Sequence, residues 1–154
     1  MIIKKITFIL ILLAITNCGY EPIFSKKENL SISINNIEFE GNKNINRKLV
    51  SLVNLNEKKN LGYSYDLNLN SSKIIEAVSK DASGNITSYK ITITVNFSLK
   101  DPNDNGEIIK SKNFAASFVY SNIKNKFDLL QYQKIVEKNL TEKIAEEITI
   151  YINS

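Results

Sequence analysis

Few side chains in this sequence can make or break a bond. The acids gather at Glu137, Glu142 and Glu146-Glu147, and at Asp101 and Asp104; Cys18 is the only thiol, and there is no His. Without imidazole, the Ser-His-Asp and Cys-His nucleophile systems are closed, and zinc and iron lose their commonest nitrogen ligand. One Cys can form neither an internal disulfide nor a CxxC metal site. Carboxylate acid–base chemistry needs surroundings that drive two pKa values apart. The glutamates fall instead among Lys and Gln at helical spacing, which is a solvated face. The run Asp101-Pro-Asn-Asp-Asn-Gly106 imitates part of a calcium loop, but Lys112 stands where the twelfth-position Glu is required. That run reads as a hairpin turn. The five Gly residues make no phosphate-cradling loop. No catalytic residue, metal or dissociable cofactor is expected. What remains is cationic: Lys90, Lys100, Lys110 and Lys112, interleaved with Thr, Asn and Ser. They are expected on the wet side of a sheet, meeting anionic groups or a protein partner. The competing reading is an ordinary solvated face whose lysines protect strand edges.

Cys18 has a context of its own. Lys4 and Lys5 precede an apolar run from Ile6 to Ile15 broken only by Thr7. Ten helical residues span roughly 15 Å, half a bilayer core, so the run is an export signal and not a transmembrane helix. A signal ending at Cys and followed by Gly19 resembles those of bacterial lipoproteins, in which the thiol is lipidated and becomes the first mature residue. The competing reading is an ordinary export signal with a chance Cys near its end. The box here is Ile15, Thr16, Asn17, Cys18, with Asn17 replacing the usual small residue. The resemblance implies a triacylated, palmitate-class anchor on Cys18, and Gly19 in place of Asp implies sorting to the outer membrane. The resulting division is 1–17 signal peptide, 18–30 lipidated N-terminus and tether, and 31–154 one periplasmic domain.

The rest of the chain supplies the frame. Ile32 and Ile34 alternate in one phase, Ile37 and Phe39 in the other, so a strand with a bulge near Asn35-Asn36 is expected. A short helix follows on Ile45, Leu49, Leu52, Val53 and Asn56, capped by Asn42 or Asn44. Tyr63, Tyr65, Leu67 and Leu69 alternate as a half-buried strand. Ser72 to Lys80 fits either a continuation of that strand, the favoured reading, or a short helix. A turn at Asp81–Asn85 precedes the clearest signal. Tyr89, Ile91, Ile93, Val95, Phe97 and Leu99 face one way, Lys90 to Lys100 the other. After the Asp101–Gly106 turn, Phe114, Ala116, Phe118 and Tyr120 alternate on a returning strand. A long helix from Phe127 to Ile152 then carries the stripe Leu129, Tyr132, Val136, Leu140, Ile144, Ile148 and Tyr151, with Asn125 and Asp128 resembling a capping box. The expected fold is α+β, a β-α-β-β-β-α two-layer sandwich of two helices on a largely antiparallel four-stranded sheet.

The 154 residues carry 20 basic and 16 acidic side chains. Loss of Lys4 and Lys5 with the signal leaves 18 basic side chains, so part of the basic character belongs to the export segment. Lysines scattered among acids, a single Arg at position 47 and export together argue against nucleic acid as a partner.

The mature start CGYEPIF, with Cys18, Gly19, Tyr20, Pro22 and Phe24, resembles that of the LPS-assembly lipoprotein family, LptE. The strand ITVNFSLKD (Ile93 to Asp101), the strand SKNFAASFVYSN and the final amphipathic helix extend the resemblance over the exported chain. It implies an outer-membrane lipoprotein on the periplasmic side that plugs the LPS-transport β-barrel, LptD. It also implies help in delivering lipopolysaccharide to the outer leaflet, without enzymatic activity. The alternative is another periplasmic lipoprotein, such as an auxiliary component of a lipid-transport ABC system.

Overall fold

The computed structural model describes residues 32–55 and 64–154. Cys18, the signal and tether, Asn56 and Tyr63 lie outside the described residues. The elements run β1 (Ser33–Gly41), α1 (Lys43–Val53), β2 (Ser64–Lys80), β3 (Ile86–Asp101), β4 (Glu107–Ser121) and α2 (Lys126–Asn153). They form one four-stranded sheet in the order β1-β2-β3-β4. The β1–β2 pair is parallel, as a crossover through α1 requires, and the other two pairs are antiparallel. The two helices pack on each other and share one face of the sheet.

The phase change in β1 is a bulge at Asn35. Ile34 pairs with Tyr65 and Asn36 with Asp66, so both Ile34 and Ile37 turn inward. The displaced Asn35 Nδ2 donates to Asp66 Oδ1 at 2.9 Å. β1 then stops abruptly at Gly41, where φ is +67°. Asn42 caps α1, its side chain accepting from the amides of Asn44 and Ile45 at 3.2 Å each. Its own amide donates to Ser71 O at 2.8 Å, and Ser71 Oγ returns a bond to Asn42 O at 3.0 Å. The crossover from β1 into α1 is thereby fastened to β2.

The expected stripe of α1 needs one correction. Ile45, Leu49 and Val53 are buried, but Leu52 is 41% exposed and the fourth buried residue is Asn46. Asn46 Nδ2 donates to Glu40 O at 2.7 Å and Leu69 O at 3.0 Å, reaching two carbonyls beneath the helix. Leucine cannot make those bonds, and buried carbonyls left unpaired are costly.

α1 covers only the first half of β2. Residues 72–80 continue the strand but are exposed throughout. α2 starts at Asn125, whose side chain accepts from Phe127 N at 2.9 Å, and Asp128 follows in the first turn, where its charge suits the helix N-terminus. Val136, Leu140, Ile144 and Ile148 are buried as the spacing predicts, while Leu129 and Tyr151 are half-buried and Tyr132 is more open. Thr141 and Ala145, outside that stripe, are buried as well. A helix that packs on both the sheet and α1 needs a wider apolar face than one stripe.

Candidate functional site

The cross-strand register divides the four lysines between the two faces of the sheet. Lys90 and Lys100 belong to the uncovered face. Lys90 Nζ lies 3.9 Å from Glu76 Oε1, and Lys100 stands opposite Asp66. They are ten residues apart on β3, about 34 Å at a strand's rise, and cannot meet on one small ligand. Lys110 and Lys112 are opposite Leu99 and Phe97, on the helix-covered face. This corrects the expectation that all four share the wet side. They have the same parity in β4 as Phe114, so the pleat turns them toward α2.

There the two lysines have a structural task. Lys110 Nζ donates to Tyr151 O and Ile152 O, both at 3.3 Å, satisfying carbonyls in the last turn of α2. It lies 5.4 Å from the centre of the Tyr151 ring, while Lys112 Nζ is 5.1 Å from the rings of both Phe114 and Tyr151. Tyr151 Oη donates to Ser111 O at 3.1 Å. Together these contacts latch the end of α2 to β4. Lys110→Ala is expected to lower stability by about 1 kcal/mol. Lys90→Ala, on the open face, should cost less than about 0.5 kcal/mol. Urea unfolding of the two variants checks the difference.

A fifth lysine escaped the sequence reading. Lys73 in β2 also faces the helices, and its Nζ lies 2.8 Å from Glu137 Oε2 on α2. A lysine in the exposed half of a strand gives no sequence sign of a partner 64 residues away.

The open face is formed by alternate residues of every strand. Across it run Glu40, Asn70, Asn96 and Asn113 in one row, then Glu38, Asn68, Ser98 and Ser111 in the next. Asn68 Nδ2 and Asn70 Nδ2 each donate to the Glu40 carboxylate at 3.1 Å. Thr92, Thr94, Ser72 and Ser117 extend the same face. Short polar side chains fill its centre and can hold water, its charges lie toward β1 and the two ends, and Ile74, Val119 and Ile108 add exposed apolar surface to the same face. Tyr65 and Tyr89 point the other way and are half-buried against the core, Tyr89 stacked on Tyr120 at 5.9 Å. Burial raises the Tyr120 hydroxyl pKa above its ordinary value, though Gln133 donates to it at 2.9 Å.

Both hairpin turns are held by an aspartate acting on its own backbone. Asp101 Oδ1 accepts from Asn103 N at 2.8 Å, so the calcium-like run is a turn, as its composition indicated. Asp81 Oδ1 accepts from Ser83 N and Asn85 N at 2.9 Å, and Oδ2 from Asn85 Nδ2 at 3.1 Å. The side-chain bond from Asn85, and then that residue's amide, hold the Asp81 pKa below its ordinary 3.8. The turn's contribution is therefore present above that value and lost as pH falls through the lower folded one. Carboxyl NMR should show Asp81 titrating below 3.8, and Asn85→Ala should bring it back up. Among the described residues, no group of three or more acidic, Cys or His side chains could hold a metal, and no helix is long and apolar enough to cross a membrane.

The family model for lipopolysaccharide assembly, LptE, matches residues 29–152. The chain belongs to the LptE family. Its relatives in fold are lipoproteins. Rare lipoprotein B from Shewanella oneidensis is 16% identical with a TM-score of 0.58, over 77% of this chain and 94% of that one. A lipoprotein from Caulobacter crescentus CB15 gives 15% and 0.53, over 75% and 86%. Lipoprotein B from Nitrosomonas europaea gives 10% and 0.56, over 77% and 81%. At these identities the likeness is one of fold. No curated protein matches significantly in sequence. LptE-family members are lipopolysaccharide-assembly lipoproteins and not enzymes, which agrees with the catalytically poor composition. The family match also takes in the whole β-α-β-β-β-α array, from just before β1 to the last turn of α2.

Proposed function

We propose that this LptE-family chain is an outer-membrane lipoprotein, anchored through Cys18, that seats inside the LPS-transport barrel LptD and assists delivery of lipopolysaccharide to the outer leaflet. The observation that carries the reading is the open sheet face, polar across its centre, with Ile74, Val119 and Ile108 exposed beside it, and unopposed by any described element. The inside of a large outer-membrane barrel is polar and wet, so a plug must offer hydrogen-bonding groups and tolerate trapped water. Asn68, Asn70, Asn96, Ser98, Ser111 and Asn113 offer such groups on a rigid sheet. The helix layer stiffens that sheet from behind, and the lipid on Cys18 holds the plug at the periplasmic leaflet.

The test is affinity capture from outer membranes, after crosslinking, of the wild-type chain and of Cys18→Ser. Both forms should retain the barrel, with Cys18→Ser capturing less because the anchor no longer concentrates it at the membrane. Capture of an inner-membrane permease in place of the barrel would establish the ABC-system alternative. Capture of no barrel by either form would remove the proposal.

A further inference from the structure

On the helix side, away from the open sheet face, α1 and α2 leave a groove of about 170 Å³ between them. Asn44, Ile45 and Lys48 of α1 and Lys134, Glu137, Lys138 and Thr141 of α2 line it. Glu137 is already engaged by Lys73 at 2.8 Å, and Lys138 is only loosely paired with Glu142 at 3.8 Å. Among the described residues, no carboxylate lies within 4 Å of Lys48 or Lys134. The lining thus holds three ammonium groups and one carboxylate; Lys73 and Glu142, outside the lining, pair with Glu137 and Lys138, so the excess of two positive charges remains when they are counted. The first turn of α1 at the rim carries no acidic residue to offset its helix dipole.

Like charges gathered around a concave surface repel one another unless an anion joins them. We infer that the α1–α2 groove binds a phosphate monoester group through Lys48, Lys134 and Lys138. A monoester carries about −1.5 to −2 charges at neutral pH, which matches the local excess. Lysine ammoniums bind phosphate as rotatable point charges and need no planar fork. The groove has space for a phosphate and attached waters, each water taking about 30 Å³. Asn44 adds a neutral polar group, and Ile45 and Thr141 close the floor. The site is separate from the face proposed to meet the barrel, so either can fail without the other.

The experiment is amide NMR of the full chain in non-ionic detergent, titrated with inorganic phosphate against chloride at matched ionic strength. Saturable shifts are expected at residues 44–48 and 134–141 and not at residues 92–98. The Lys48→Gln/Lys134→Gln/Lys138→Gln variant should bind about tenfold or more weakly, and Lys90→Gln and Lys100→Gln should bind as wild type. If the triple variant loses its dispersed spectrum, Lys134→Gln alone is read, because its exposed side chain is not needed for folding; about threefold weakening is expected. Dihexanoyl phosphatidic acid binding in the groove more tightly than inorganic phosphate, with dihexanoyl phosphatidylcholine inert, would assign a lipid headgroup; the reverse order would assign free phosphate. Unsaturable shifts at every lysine, or an unchanged affinity in the variants, would overturn the inference. So would groove binding by polyglutamate without phosphate, which would point to an acidic protein partner. Barrel capture by a variant that no longer binds phosphate leaves the proposed function standing.

Discussion

Gly41→Ala is expected to destabilise the fold by about 2–4 kcal/mol. A Cβ at this position would collide with Ser71 O, and its φ of +67° is a region that side chains disfavour. The left-handed conformation contributes about 1 kcal/mol and the forced overpacking about 1–3 kcal/mol. The contact is with backbone that is itself bonded to Asn42 N, so it cannot relax by turning a side chain. Relief requires moving β2 away from the β1–α1 junction, which also disturbs the Asn46 bonds to Glu40 O and Leu69 O. Gly84→Ala separates the two causes. Gly84 has φ of +84° with nothing within 4 Å of a Cβ, so it should lose only about 1 kcal/mol. Equal losses in urea unfolding of the two variants would show that the crowding at Ser71 is not what matters.

Phe97→Ala should be worse, by about 3–5 kcal/mol. The ring is fully buried in the middle of β3, between Leu69 and Lys112 in register, with Tyr151 of α2 edge-on at 6.2 Å. Its loss leaves a cavity where the sheet meets the last turns of α2 and removes one wall of the pocket in which Tyr151 and Lys112 are held. Phe118→Ala in β4 is the comparison. Phe118 is 46% exposed, and its removal should cost under about 1.5 kcal/mol. Thermal or urea unfolding of the pair measures the difference. Near-ultraviolet circular dichroism should also change in Phe97→Ala as the Tyr151 environment loosens.

The strands were legible because their burial is one-sided. In β3 the strict alternation from Tyr89 to Leu99 identifies a strand with one dry face. In β1 the change of phase between Ile34 and Ile37 locates the bulge at Asn35 without knowledge of its partner. Asn125 was readable as a cap, and Asn42 as one of two candidates with Asn44, because a short amide side chain just before an apolar repeat is what free helix amides require. The lysines were harder. A charged residue in a strand reads as outward, but Lys110 and Lys112 carry long apolar stems that cross aromatic rings and place their charges at the rim. The parity of Phe114 already gave their direction; the lining rings came largely from Tyr151, 41 residues from Lys110. Asn46 was missed for a related reason. Its burial depends on two carbonyls, one of them in β2, and helical spacing carries no trace of that.

The candidate surface was legible in composition and not in membership. The Thr, Asn and Ser residues on even positions of β3 announced a wet face, and the structure joins Glu40, Asn68, Asn70, Ser111 and Asn113 to it from neighbouring strands. The chemistry that this face offers is hydrogen bonding over a broad flat area. Convergence of four lysines on one anion is not part of it.

The central claim is that the open sheet face lies against the inside of the outer-membrane barrel. A photo-crosslinking amino acid at Asn96, in the middle of that face, compared in living cells with one at Lys143 on the exposed side of α2, tests it most directly. Position 96 should give a strong adduct with the barrel, and position 143 a weaker one or none. Barrel adducts through position 143 with none through position 96 would contradict the orientation, and absence of barrel adducts from both would contradict the docking itself.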